Sequence, residues 1–194
     1  MAKKLGPNDC EHLQNGTTVI HITRRNGTKY EVLIDTKDYK LVAGYRWWVL
    51  SHHSNNSFYA ACWPYKVKRP IIYMHTLINN TPKGMETDHK DTDTLNNKRD
   101  NLRSATPSQN RSNTKTLRPQ NSSGFQGVTK EGKRFVAQIH RMGKNSQHIG
   151  RYETKEEAAI AYDKEALALH GDFARLNFPE NREQYLKEIY GEVA

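Results

Sequence analysis

Cysteine is scarce. Cys10 and Cys62, the two in 194 residues, cannot build a disulfide framework or a four-cysteine zinc site, and they form no CxxC pair. Both read as free thiols in a reducing compartment, which leaves any metal to oxygen and imidazole donors. Long apolar runs are missing too: none reaches 18 residues, so no membrane-spanning helix is expected. The charged start MAKKLGPNDC is not followed by the apolar stretch of a secretory signal. The expected location is cytoplasmic. Hydrophobic residues make up only 35% of the chain, and the mean hydropathy of −0.92 argues against one large core and for one ordinary domain or two small ones. Acidic residues are outnumbered, 21 Asp+Glu against 30 Lys+Arg, and the net charge of +9 suits a nucleic-acid partner. Ten Tyr, three Trp and five Phe supply enough aromatic surface for folded domains rather than wholesale disorder.

Residues 17–35 alternate apolar and polar side chains around Asn26-Gly27, the pattern of a β-hairpin with a tight turn. Further short strands are predicted at Trp47 to Val49, Tyr59 to Trp63 and Ile71 to Met74. From Thr81 to Asn113 apolar residues thin out, with no period of 2 or 3.6 before Ser108; so long a polar stretch inside a folded chain is usually functional or disordered. Residues 114–123 have linker composition. Beyond them, strands are predicted at Val128, Phe135 to His140 and His148 to Tyr152. Thr154 and Glu157 form a capping box at the start of an Ala-rich helix that Gly171 ends. A short tail helix is predicted over 184–193.

Charge is segregated within this second part. Residues 124–152 carry Lys130, Lys133, Arg134, Arg141, Lys144 and Arg151 against the single acid Glu131, while residues 153–172 hold six acids against Lys155 and Lys164. With Ala137 and Ile139 turned inward, Arg134, Gln138 and His140 face outward. A cationic plate of this kind suits duplex phosphates, and its Arg, Gln and His side chains suit base edges in a major groove. A solvated surface with an ordinary lysine excess would give the same counts.

The densest chemistry lies at Glu86-Thr-Asp88-His89-Lys90-Asp91, followed by Asn96-Asn97, Asn101-Leu102-Arg103 and Gln109-Asn110-Arg111. Phosphodiester hydrolysis needs a base for water, a cation on the phosphate and positive groups on the backbone. The unperturbed pKa of a histidine lies near neutrality, so His89 is a candidate to accept the water proton, and Asp88 and Asn110 are the hard oxygen donors that magnesium or manganese prefers. Turn capping by the same Asp and Asn residues is the structural alternative.

Ile72-Tyr-Met-His75-Thr-Leu-Ile78, Asp88-His89, Asn97-x-Arg99-x-Asn101-Leu-Arg103 and Thr106 to Asn110 together resemble the HNH endonuclease motif, in the version of phage-borne homing endonucleases. The resemblance covers roughly residues 70–113. It implies a ββα-metal fold in which His89 is the general base, Asp88 and Asn110 ligate one divalent cation, and Asn101 orients the hairpin loop and the histidine. Mg²⁺ or Mn²⁺ is the implied cofactor, with no zinc expected. His75, Arg99, Arg103 and Arg111 are the candidates for DNA contacts here; for His75 a phosphate contact, a loop-positioning contact and a satisfied strand-end histidine stay open. Thr76, Thr92 and Asn96 stand where that group often has Arg, Gly and Asp, so phosphate grip and loop shape are expected to differ. His21 and His52-His53 are read as surface or structural residues.

Gly124 to Val128, Ile149 to Thr154, Glu156 to Ala159, Ala161 to Asp163 and Leu176 to Pro179 resemble the apetala-type (ethylene-response-factor) DNA-binding domain. The resemblance implies a three-stranded sheet, packed on one helix, lying in the major groove. Its candidate DNA contacts are Lys130, Lys133, Arg134, Gln138, His140, Lys144, His148 and Arg151. Phe135 and His148 replace usual tryptophans, and Gln138 and His140 replace a usual Glu and Arg, so target preference does not transfer.

The expected fold class is therefore α+β, a β-rich N-terminal region leading into a ββα-metal nuclease module and then a three-stranded antiparallel sheet on one helix. The expected domains are 1–113, a linker 114–123, 124–180 and a tail 181–194. The expected function is homing-type cleavage of double-stranded DNA by a monomer or weak dimer, with no membrane partner, inside the host cell of a phage or mobile element. A non-catalytic sequence-specific DNA-binding regulator is the alternative, and an RNA-directed binder a third reading.

Overall fold

The computed structural model describes residues 7–52, 57–64, 70–113, 121–140 and 146–191. The chain divides at Pro107/Ser108 into two units, Met1–Pro107 and Ser108–Ala194. The architecture is mixed α and β, with several small antiparallel sheets and few helices.

In the first unit, β1 (Cys10–His12), β2 (Thr17–Thr23) and β3 (Lys29–Asp35) form one sheet in that order. The hairpin turns at Asn26-Gly27, where Gly27 takes a left-handed φ of 84° and the Asn26 side chain accepts from Thr28 N. Alternation buries Ile20 and Ile22 of β2 and Val32 and Ile34 of β3. A 3-10 turn, Thr36–Asp38, and the single-turn α1 (Tyr39–Val42) lead to a second sheet of β4 (Trp48–His52), β5 (Ser57–Cys62) and β6 (Ile72–Tyr73). The strand expected over Ile71 to Met74 lasts only two residues before α2 (Met74–Asn79) begins. Met74 and Ile78, one turn apart, plug that helix into the core beside Val42, Trp47 and Cys62.

The polar stretch after Thr81 is ordered where composition shows no period. β7 (Glu86–His89) pairs with β8 (Leu102–Ala105), and α3 (Pro107–Ser112) follows in the chain. Inside this unit α2 packs against both strands of the hairpin.

The second unit holds β9 (Val128–Glu131), β10 (Arg134–Ile139) and β11 (Gln147–Tyr152) with β10 central, then α4 (Lys155–His170) and α5 (Arg182–Tyr190). The capping box is formed: Glu157 N donates to Thr154 Oγ1 and Thr154 N to the Glu157 carboxylate. Ala158, Ala159, Tyr162 and Ala166 of α4 bury against Val128, Ala137 and Ile139. The tail helix begins two residues earlier than expected and stops at Tyr190, before Gly191. Residues 114–120 of the expected linker lie outside the described residues.

Candidate active site

Successive residues of a strand point to opposite faces, so Asp88 and His89 meet different neighbours. Asp88, 3% exposed, faces Arg103 across the hairpin, and the Arg103 Nε and Nη2 both donate to its Oδ2 at 2.6 Å. His89 turns into the unit, where its Nε2 lies 3.1 Å from Oδ1 of the fully buried Asn97. Burial pushes the His89 imidazole below its ordinary pKa, offset in part by the Asn97 contact and by the charges of Asp91, Asp88 and Asp93. A neutral imidazole is the protonation state that a general base requires.

The loop between the strands is braced by side chains rather than apolar packing. The Asn101 amide donates to Asp91 Oδ1 and to Asn96 O, each at 2.8 Å, and its Oδ1 accepts from Asp91 N. Asp91 also accepts from Asp93 N and from the Asn96 side chain. The Asn101 amide thus braces the loop, whereas the amide bonded to His89 belongs to Asn97. Thr92 adopts a left-handed φ of 66°, which preserves the backbone conformation that glycine would give more readily.

Three of the expected DNA contacts in this unit are committed elsewhere. Arg99 makes a two-pronged ion pair with the buried Asp38, 2.7 Å from Nε to Oδ2 and 2.8 Å from Nη2 to Oδ1, while its backbone N donates to Asp35. It staples the loop to the N-terminal sheet. Arg103 is held on Asp88 and is largely buried. His75 is buried with Nδ1 unpartnered, its ring stacked on Tyr73 and edge-on to Tyr59 and His89. Burial, then the neighbouring His89, pushes its pKa down to about 3, so it packs as a neutral ring. Asn110 and Arg111 sit on α3, within the second unit, Asn110 half-buried and Arg111 exposed.

In the second unit the face of the sheet opposite α4 carries Arg134, Gln138, His148 and Arg151. Cross-strand register aligns Val136 with Arg151 and Thr129, and Gln138 with His148. A register shift between Ala137 and Gln138 lets Ile149 stay with the core and still turns His148 outward. Lys130, paired with Phe135, lies on the α4 side instead, at an exposed edge. Lys133 and His140 are exposed at the two ends of β10. Arg151 is exposed and paired with Glu131. Lys144 and His53, and the side chain of His52, lie outside the described residues.

Among the described residues no group of three or more His, Cys, Asp or Glu is arranged to hold a metal ion. The first unit offers the Asp88 carboxylate, buried and ion-paired with Arg103, while the Asn110 amide belongs to the second unit. A carboxylate is a hard oxygen donor of the kind magnesium takes alongside water and substrate phosphate. Among the same residues no helix is long and apolar enough to cross a membrane. Asn97 and Asp38 are the residues sequence reasoning left without a role: nothing in the Asn96-Asn97 dipeptide separates the fully buried residue from its half-buried neighbour.

A family model described as HNH endonuclease matches residues 80–112, which hold the hairpin and α3. Over 166 residues the chain is 31% identical to an uncharacterized HNH endonuclease, L560, of Acanthamoeba polyphaga mimivirus, covering 82% of each chain. Protein 3.8 of Escherichia phage T7 is 36% identical over 114 residues, 57% of this chain and 92% of that one. A 67-residue stretch is 43% identical to dehydration-responsive element-binding protein 2A of Arabidopsis thaliana, 32% of this chain and only 20% of that protein's length. No solved structure gives a significant match.

Proposed function

This chain belongs to the HNH endonucleases, and from that premise we propose that it is a homing-type, metal-dependent endonuclease that cuts double-stranded DNA with its first unit and holds the duplex with its second. The observation that carries the reading is the Asp88-His89 pair, one strand residue apart, with the carboxylate ion-paired and the imidazole buried and neutral. His89 takes a proton from water, and the hydroxide attacks the scissile phosphorus. The P–O bond to the 3′ oxygen breaks and that oxygen takes a proton from solvent water, leaving 5′-phosphate and 3′-hydroxyl ends. Asp88 would hold a divalent cation, magnesium or manganese, to which the motif resemblance adds Asn110 as a ligand; when bound, the cation would supply positive charge for the phosphate and the departing oxygen. Asn101 keeps the loop shaped around His89 through Asp91 and Asn96.

The second unit is read as an apetala-type DNA-binding module. Its open face offers Arg134 and Arg151 for phosphates and Gln138 and His148 for base edges, with Lys130, Lys133, His140 and Lys144 as flanking contacts. Arg111 is a further backbone contact. Supercoiled plasmid carrying phage-derived DNA, incubated with the protein and magnesium or manganese, should become open-circular or linear; EDTA and His89→Ala should each abolish conversion. Plasmid that is bound yet stays supercoiled with either metal would favour the non-catalytic regulator.

A further inference from the structure

We propose that Asn97 is a positioning residue that decides which nitrogen of His89 accepts the proton, making Nδ1 the basic atom. The inference rests on His89 being the base and goes beyond it by assigning the reacting nitrogen. The Asn97 amide is oriented by its own neighbours: Nδ2 donates to Leu95 O at 3.4 Å and points at Met74 Sδ, 3.9 Å away. Oδ1 is then the atom 3.1 Å from His89 Nε2. Turning the amide over would set its oxygen against the Leu95 carbonyl and its NH₂ against the ring. An amide oxygen accepts hydrogen bonds and never donates them, so Nε2 carries the hydrogen and Nδ1 keeps the lone pair.

The anchor is rigid. Asn97 is fully buried, its backbone N donates to Leu33 O at 2.7 Å, and Leu33 N donates to Leu95 O at 3.0 Å. Leu33 lies on β3 between Val32 and Ile34, both fully buried. The N-terminal sheet therefore reaches the base through one strand and one amide. At the backbone, Thr92 N donates to His89 O at 2.9 Å. The amide that orients the ring is thus anchored on β3, outside the nuclease segment, which gives the β-rich lead-in a part in catalysis.

The full-length protein labelled with ¹⁵N-histidine reports the tautomer directly in long-range ¹H–¹⁵N spectra, with His89 assigned by its loss in His89→Gln. The expected result is an Nε2–H tautomer in the parent. Asn97→Leu, which removes the acceptor, should lose that preference and lower kcat for plasmid cleavage by about 10- to 100-fold with KM for DNA unchanged. Asn97→Asp, which keeps an acceptor oxygen, should restore the tautomer and most of the rate. An Nδ1–H tautomer in the parent overturns the proposal, whatever the variants do and even where Asn97→Leu fails to fold; unchanged kcat in a folded Asn97→Leu overturns it too. A parent protein that cuts no DNA sinks the nuclease reading instead, because the spectrum is read without turnover.

Discussion

Thr92 is a β-branched residue in the left-handed region, and the conformation is set by the turn in which its N–H donates to His89 O. Left-handed backbone costs a non-glycine residue about 1–2 kcal/mol, only part of which returns as entropy when glycine is substituted. Thr92→Gly should therefore stabilise the protein by about 0.5–1 kcal/mol in urea unfolding. A variant less stable than its parent would show that the Thr92 side chain itself holds the turn. His75 allows a test with the opposite logic. Its folded pKa, about 3, lies below the unfolded value near 6.5, so between those limits the unfolded chain binds more protons. Stability is fully present above about pH 6.5 and falls as pH drops, by up to about 1.4 kcal/mol per pH unit from this one residue. His75→Leu should flatten that slope between pH 6 and 4, and the orphaned Nδ1 disappears with the ring. An unchanged slope would place the acid sensitivity elsewhere. At this scale the sequence spoke in residue types only. Arg99 and Arg103 were legible as cations, but not as cations already committed to Asp38 and Asp88, because those pairs join positions 61 and 15 residues apart.

Elements were legible where local rules act alone. The 17–35 hairpin followed from alternation and Asn-Gly, and α4 from its capping box and alanine face, each requiring only neighbours in the chain. The β7/β8 hairpin was not legible from pattern, since its strands carry Asp88, His89, Arg103 and Ser104 where a core strand would carry apolar residues; only the motif resemblance pointed to it. α2 was missed because Ile72 to Ile78 is apolar at strand and helix spacings alike. One glycine ties two elements of the second unit together. Gly127 has φ 73°, and a Cβ there would lie 2.0 Å from the Tyr162 ring of α4 and 2.8 Å from Gln138 O of β10. Gly127→Ala combines left-handed strain with a clash against two packed elements, so it should cost about 2–4 kcal/mol, read as a drop in urea midpoint. Asp163 belongs to the same packing: fully buried, it accepts from Asn177 N, Asn177 Nδ2 and Phe178 N, and Asn177 in turn bonds Gln126 beside Gly127. A near-neutral Gly127→Ala would mean that α4 shifts freely over the sheet, contrary to a core built on alanine contacts.

For the whole molecule the proposed function makes the excess charge of +9 the main grip on DNA, and the structure separates exposed arginines from those already ion-paired with buried acids. Arg134 is exposed on the open face of the β9–β11 sheet, whereas Arg99 is tied to the buried Asp38. Each phosphate neutralised contributes about −0.9 to the slope of log K against log salt. If roughly six to ten contacts are made, affinity should fall about 10³- to 10⁵-fold between 50 and 200 mM salt. Arg134→Gln should make that slope shallower by about one, because one phosphate contact is lost. Arg99→Gln should leave the slope unchanged while lowering the melting temperature, because it strands Asp38 without a cation. His89→Ala should change neither affinity nor slope while removing cleavage. Fluorescence anisotropy on one duplex across a salt series measures all three variants, with calorimetry for the Arg99 variant. A slope that drops for Arg99→Gln and holds for Arg134→Gln would reverse the assignment, placing the duplex on the nuclease unit and leaving the second unit's cationic face as ordinary solvated surface.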